Sequence, residues 1–121
     1  MVTRILVVED EKDVRELLQE ELIDAGFSVK AVKDGVEAIV TAAEQSFDLV
    51  LLDMLMPGLD GIQTLKVLQK IEPNMPIIGL TGYVGRGYMA QASAYGVTCL
   101  SKPLDIDELL REVNEVIASV R

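Results

Sequence analysis

The sequence predicts an α/β fold in which five strand–helix pairs form a doubly wound (βα)₅ arrangement around a parallel sheet. Short apolar runs alternate with segments whose apolar residues recur every three or four positions, and the links between them are short. This alternation is typical of parallel sheets with helices on both faces. With 121 residues and a fifth helix at the end, residues 1–121 are expected to form one domain without an output domain.

Five short segments are the predicted strands. The first, residues 4–8, is mainly apolar, and the third, residues 49–52, is an uninterrupted apolar run typical of a strand buried on both faces. Residues 27–32 alternate between apolar and polar side chains, which indicates a strand at an edge of the sheet. Residues 77–80 and 97–101 are the predicted fourth and fifth strands.

Capping residues and glycines delimit the predicted helices. An acidic residue followed three positions later by Glu or Gln has the spacing of a capping box. This spacing occurs at Asp34 and Glu37, at Asp60 and Gln63, and at Asp105 and Glu108. Gly26 and Gly96 are predicted C-terminal caps. Periodicity predicts an inward face for the second helix made of Val36, Ile39, Val40 and Ala43.

The composition argues against several classes of function. A formal net charge of −9 makes nucleic acid and anionic membrane poor direct partners. The absence of histidine excludes His-based triads, His zinc sites and a phosphohistidine carried by this chain. The single cysteine, Cys99, cannot form an internal disulfide and fits a reducing cytosol. Without a signal peptide pattern or an apolar run of ~20 residues, a cytoplasmic protein without membrane insertion is expected.

Polar residues follow four of the predicted strands. They are Glu9 and Asp10, Asp53, Thr81 and Lys102. The carboxyl ends of parallel strands meet at one edge of the sheet, where such folds bind ligands, so these side chains should converge. Three converging carboxylates repel one another unless a cation binds. Carboxylate oxygens are the hard ligands that Mg²⁺ prefers, so these residues predict a Mg²⁺ site. A hydroxyl donor and a mobile ammonium complete what phosphoryl transfer to a carboxylate needs.

Asp53 taken alone allows three roles: metal ligand, nucleophile or helix cap. The cap is the weakest of these, because Pro57 and Gly58 lie before any helix and Asp60 is the better cap.

Four motifs, in their order and spacing, resemble the response-regulator receiver domain of two-component signalling. They are residues 8–10 (Val-Glu-Asp), 51–61, 80–82 (Leu-Thr-Gly) and 101–103 (Ser-Lys-Pro). The resemblance covers essentially the whole chain and is specific, because the motifs span four strand ends. It implies the flavodoxin-like strand order 2-1-3-4-5.

The resemblance also implies roles for individual residues. Asp53 would be the phosphoacceptor, and Thr81 and Lys102 would contact the phosphoryl group, with a cis peptide bond after Lys102. A Mg²⁺ ion would be held by three carboxylates, one of them through water, and by one backbone carbonyl: Glu9, Asp10, Asp53 and Leu55. The departures from the family pattern are Cys99, where an aromatic residue is common, and Gly82, where alanine is commoner.

As a receiver, the chain would act as a signalling switch and not as a turnover enzyme. It would take phosphate from a sensor histidine kinase or a histidine phosphotransfer protein, lose it slowly, and act on a downstream protein partner. It would be a monomer or a phosphorylation-dependent dimer. It would serve as a stand-alone regulator, a relay intermediate or part of a longer regulator. With Cys99 in place of a ring, residues 81–89 are expected to carry most of the switch.

Three other classes share parts of this pattern. A flavodoxin-type cofactor binder needs a glycine- and hydroxyl-rich loop after the first strand, whereas residues 9–13 are charged. An aspartate-nucleophile phosphatase typically has a second acid two residues after the nucleophile, where this chain has Leu55. The third class is a receiver-like module that is never phosphorylated, and the complete acidic set argues against it.

Overall fold

The computed structural model describes residues 2–56, 58–82 and 88–120. The strands are β1 Arg4–Val8, β2 Ser28–Val32, β3 Leu49–Asp53, β4 Ile77–Thr81 and β5 Thr98–Ser101. The helices are α1 Lys12–Asp24, α2 Gly35–Glu44, α3 Gly61–Ile71, α4 Tyr88–Ala94 and α5 Ile106–Ser119. Within these residues, each helix is too short or too polar to cross a bilayer.

All five strands are parallel and lie in the order β2-β1-β3-β4-β5, which confirms the predicted topology. The central strands β3 and β4 are buried along their full length, while β2 and β5 form the edges. In β2, exposed and half-buried residues alternate, as expected for an edge strand. The pattern of apolar runs therefore located each strand to within a residue or two.

The sheet separates two hydrophobic cores. One core packs side chains of α2, α3 and α4 against one face of the sheet. The other packs α1 and α5 against the opposite face, through Leu18 and Leu22 on α1 and Leu109, Val113 and Ile117 on α5. Helices on both faces bury both sides of every central strand, so the uninterrupted apolar sequence of β3 is required by its place in the sheet.

The inward face predicted for α2 was wrong. Val36 and Val40 are 58% and 50% exposed, and the residues that α2 buries are Gly35 and Ala38. A Cβ atom at Gly35 would collide with the hydroxyl of Thr64 on α3. The two helices therefore approach through small residues, which turns the larger side chains of α2 towards solvent.

The start of α3 packs closely against the end of β3. The carboxylate of Asp60 accepts a hydrogen bond from the backbone of Gln63, whose side chain bonds back to Asp60, so the predicted capping box is present. The next residue, Gly61, donates its N–H to the carbonyl of Met54 at 3.2 Å. Because Met54 directly follows Asp53, this contact fixes the start of α3 against the end of β3.

Among the described residues, α4 begins at Tyr88. The prediction that residues 81–89 carry the switch falls largely on residues 83–87, which lie outside the described residues.

We predict that Gly61→Ala destabilises the protein by about 1–3 kcal/mol, the usual cost of overpacking. A Cβ atom at this position would overlap the backbone of Met54, which cannot rotate away. Gly82→Ala is the matched control, because its Cβ would have Lys102 Cβ, at 3.9 Å, as its near neighbour. Urea unfolding measures both changes, and equal stability of the two variants would contradict this account of the turn.

Candidate functional site

The predicted site residues meet at the carboxyl edge of the sheet. Glu9 directly follows β1, Asp53 and Thr81 are the last residues of β3 and β4, and Lys102 directly follows β5. Backbone hydrogen bonds hold this edge together: Met54 N–H donates to the Leu80 carbonyl, and Lys102 N–H donates to the Thr81 carbonyl, both at 2.8 Å. The site therefore inherits its geometry from the strand register.

Three carboxylates converge at this edge. Glu9, Asp10 and Asp53 each offer an oxygen, and these oxygens lie within 4.8 Å of one another. Glu9 is completely buried and Asp53 is 2% exposed, so water screens their repulsion poorly. The three residues come from two neighbouring strand ends, which is the convergence expected from the sequence.

Lys102 is the cation of this cluster. Its Nζ atom lies 2.5 Å from Glu9 Oε1, 3.3 Å from Asp53 Oδ2 and 3.7 Å from Glu11 Oε1. The Lys102 side chain is itself mostly buried. One ammonium is thus shared among several carboxylates and cannot neutralise all of them.

These contacts change the protonation of Asp53 and Lys102. Burial raises the pKa of Asp53 to about 8, and the carboxylate of Glu9 acts in the same direction. The Leu55 N–H, which donates to Asp53 Oδ1 at 3.1 Å, and the ammonium of Lys102 oppose the rise. Burial alone would lower the pKa of Lys102, but together Glu9 and Asp53 raise it above its ordinary value.

Two hollows open beside Lys102. The smaller, of about 70 Å³, is lined by Glu11, Asp53, Leu55, Gly82 and Lys102, so it gives direct access to the Asp53 carboxylate. The larger, of about 490 Å³, runs from the same lysine over apolar side chains of α1 and of the segment after β5. Its lining is Glu11, Val14, Leu17, Gly82, Lys102, Pro103 and Leu104. The peptide bond between Lys102 and Pro103 is cis, as expected.

Sequence reasoning missed two residues near the site. Glu11, at the N-cap of α1, was not among the predicted site residues, but its carboxylate makes no cap bond and pairs with Lys102. Arg15 received no role, yet its Nη1 donates to the backbone carbonyls of Glu9 at 2.8 Å and Asp10 at 3.2 Å. The spacing of Arg15 from the acidic pair, five and six residues, matches no local helical pairing and so gave no signal.

Comparison with known proteins identifies the family. Residues 5–114 match the model of the response regulator receiver domain. The sporulation initiation phosphotransferase F of Bacillus subtilis is 34% identical over 118 residues, which cover 97% of this chain and 95% of that protein. YrkP of Bacillus subtilis, described as an uncharacterized transcriptional regulatory protein, is 40% identical over 114 residues. This chain spans 47% of the length of YrkP.

Solved structures agree. The chemotaxis protein CheY4 of Vibrio cholerae superposes with a TM-score of 0.89 at 28% identity, covering 96% of this chain and 99% of that one. A CheY-like receiver domain from Methanospirillum hungatei superposes with a TM-score of 0.94 over 98% of this chain and 96% of its own, and at 24% identity it shows the fold. The chain therefore belongs to the response regulator receiver domain family.

Proposed function

We propose that this chain is a phosphoacceptor switch, which takes a phosphoryl group from a partner's phosphohistidine onto Asp53 in a Mg²⁺-dependent reaction. The observation that carries the proposal is the position of Asp53. This almost fully buried carboxylate lines the smaller hollow and faces both the acidic cluster and Lys102. Membership of the receiver family supports the same role.

The acidic cluster fits a hard divalent cation. Its three carboxylates, when ionised, exceed the single ammonium of Lys102 by two negative charges. Glu9 Oε1 is fully buried, and Lys102 is its ion-pair partner. The carboxylates of Glu9, Asp10 and Asp53 and the backbone carbonyl of Leu55 would hold the ion, which is the oxygen-rich donor set that Mg²⁺ prefers. When bound, Mg²⁺ would favour ionised Asp53 and offset the charge of the phosphoryl oxygens.

The chain's own side chains would do the rest. An Asp53 oxygen forms the new O–P bond while the N–P bond of the donor breaks, so the imidazole leaves with its electron pair. The Leu55 N–H already holds Oδ1, which orients the carboxylate. Lys102 stands 3.3 Å from Oδ2 and can pair with a phosphoryl oxygen instead, and the Thr81 hydroxyl would donate to another.

The larger hollow is where we place the phosphate donor. It begins at Lys102, next to Asp53, and continues over Val14, Leu17 and Leu104, with Leu17 43% exposed. An apolar surface beside the acceptor suits a helical partner that carries a phosphohistidine, either a sensor histidine kinase or a histidine phosphotransfer protein. The relative with nearly the same length is named a phosphotransferase, which supports a relay role.

We expect acetyl phosphate or phosphoramidate with Mg²⁺ to add one phosphoryl group, and Asp53→Asn to abolish the addition. Phosphoramidate is included because its N–P bond resembles the N–P bond of phosphohistidine, the proposed donor. Asp24→Asn, an exposed aspartate at the end of α1, is the control and should behave as the wild type. Intact-mass spectrometry gives the count, and normal phosphorylation of the Asp53→Asn protein would refute the assignment.

Mg²⁺ should stabilise the wild type more than Asp10→Asn or Asp53→Asn. A ligand that binds only the folded state adds about 2.7 kcal/mol at a concentration 100 times its Kd. In EDTA above pH 8, where Asp53 is ionised, both variants should be more stable than the wild type, because each amide removes a repelling charge from the cluster. Denaturant unfolding with and without Mg²⁺ measures both effects. Equal stabilisation of all three proteins by Mg²⁺ would contradict the proposed metal site.

The metal-free protein should lose stability as pH rises. The pKa of Asp53 is about 8 in the folded protein against an ordinary value of 3.8, so between these values the folded state binds more protons than the unfolded state. The contribution of Asp53 is therefore fully present below pH 3.8 and is lost as pH rises through about 8. The difference in unfolding free energy between wild type and Asp53→Asn in EDTA, measured across this range, isolates it. A difference that does not change with pH would contradict the description of Asp53.

The phosphorylated form should lose its phosphoryl group slowly. The half-buried Leu55 lines the smaller hollow, and its side chain offers an attacking water no hydrogen bond. Leu55→Asn should therefore lose phosphate faster, while Leu55→Met should match the wild type. Decay of the phosphorylated mass gives the rates, and a wild-type rate in Leu55→Asn would show that this side chain does not control hydrolysis.

A further inference from the structure

Arg15 reaches back from α1 to the loop that carries two of the acidic residues. The half-buried Arg15 lies in the first turn of α1, and its Nη1 donates to the backbone carbonyls of Glu9 and Asp10 at 2.8 and 3.2 Å. Both carbonyls lie between the end of β1 and the start of α1, where neither strand nor helix supplies a regular partner. One guanidinium nitrogen thus joins the backbone of two consecutive acidic residues to the helix that follows them.

The two carboxylates differ in how they are held. The Glu9 carboxylate accepts the Glu11 N–H at 3.3 Å and pairs with Lys102. Within the described part of the chain, the carboxylate of Asp10 has no hydrogen bond or ion pair of its own. The direction of the Asp10 side chain therefore depends on its backbone, and Arg15 is the side chain that holds that backbone.

Arg15 and Lys102 have different relations to the acidic cluster. Lys102 pairs with carboxylates, and so occupies oxygens that a metal ion would need. Among the described residues, Arg15 makes no ion pair with the carboxylates of Glu9 or Asp10. It donates hydrogen bonds to their backbone carbonyls instead. A cation placed in this way orders the acidic loop and leaves the carboxylates available.

We propose that Arg15 is a positioning residue of the metal centre: it fixes the backbone of Glu9 and Asp10 so that their carboxylates converge, without neutralising them. The proposal rests on the proposed Mg²⁺ site and adds a residue outside the ligand set. It also predicts a direction opposite to that expected from charge alone. If Arg15 acted only through repulsion of the metal ion, removing its positive charge would tighten Mg²⁺ binding. Because Arg15 positions the loop, its removal is expected to weaken Mg²⁺ binding.

The test compares charge removal at two places. Arg15→Gln removes the contact and one charge, whereas Lys12→Gln removes one charge from the same turn of α1. Lys12 is 76% exposed, and within the described residues its one ion pair is with Glu16 at 3.9 Å. Calorimetric titration with Mg²⁺ should show about ten-fold weaker binding for Arg15→Gln, the usual size of an outer-shell loss. Lys12→Gln should bind as tightly as the wild type or more tightly.

Arg15→Lys is the rescue variant, because it keeps the charge and a donor on a side chain one bond shorter. Its Mg²⁺ affinity should lie between those of Arg15→Gln and the wild type. It also carries the test if Arg15→Gln does not fold. Wild-type affinity in the Gln variant, or in the Lys variant where that alone is folded, would overturn the proposal.

A second measurement needs no metal. The Glu11 N–H bonds to the Glu9 carboxylate, so its hydrogen exchange in EDTA reports the order of the loop. We expect faster exchange at Glu11 in Arg15→Gln and unchanged exchange at Val7 in the centre of the sheet. Unchanged exchange at Glu11 would overturn the proposal. If the wild type binds no Mg²⁺, the proposed metal site itself is contradicted. Hydrogen exchange at Glu11 would still decide whether Arg15 orders the loop.

Discussion

Repulsion among buried carboxylates is the constraint on which the rest of this site depends. The fold places Glu9 and Asp53 side by side where water screens them poorly, and it supplies one ammonium, Lys102, for both. That arrangement favours a protonated Asp53, which is a poor nucleophile. Under the proposed function, a divalent cation would favour the ionised form, so that readiness for phosphorylation would depend on metal binding through charge.

Much of the fold and the site could be predicted from the sequence, because both depend on short-range patterns. Apolar runs mark strands that must be buried on both faces, and the polar residues that end them must share an edge. The inward face of α2 could not be found in this way. Val36 and Val40 fit a helical period, but the contact between Gly35 and Thr64 decides which face turns inward, and that contact is tertiary.

Arg15 and Glu11 were missed for a related reason. Their partners are backbone carbonyls and the ammonium of Lys102, and neither is marked by residue type at a fixed spacing. The position of Cys99 shows another effect that only packing reveals. A Cβ atom at Gly79 would collide with the thiol of Cys99, so the glycine in β4 makes room for this side chain. The thiol is half-buried, and burial raises its pKa, which makes it a packed group of low reactivity.

The strand register has a consequence for how such a chain can vary in length. Asp53 pairs with Leu80, and Thr81 pairs with Ser101, so the register aligns Asp53, Thr81 and the residue before Lys102 across three strands. Inserting or deleting one residue within β4 would turn Thr81 to the opposite face of the sheet. The turns at the other edge, such as the one between α3 and β4, have no such restriction. Changes in length are therefore expected to be better tolerated at the edge of the sheet away from Asp53 than within the strands that build the site.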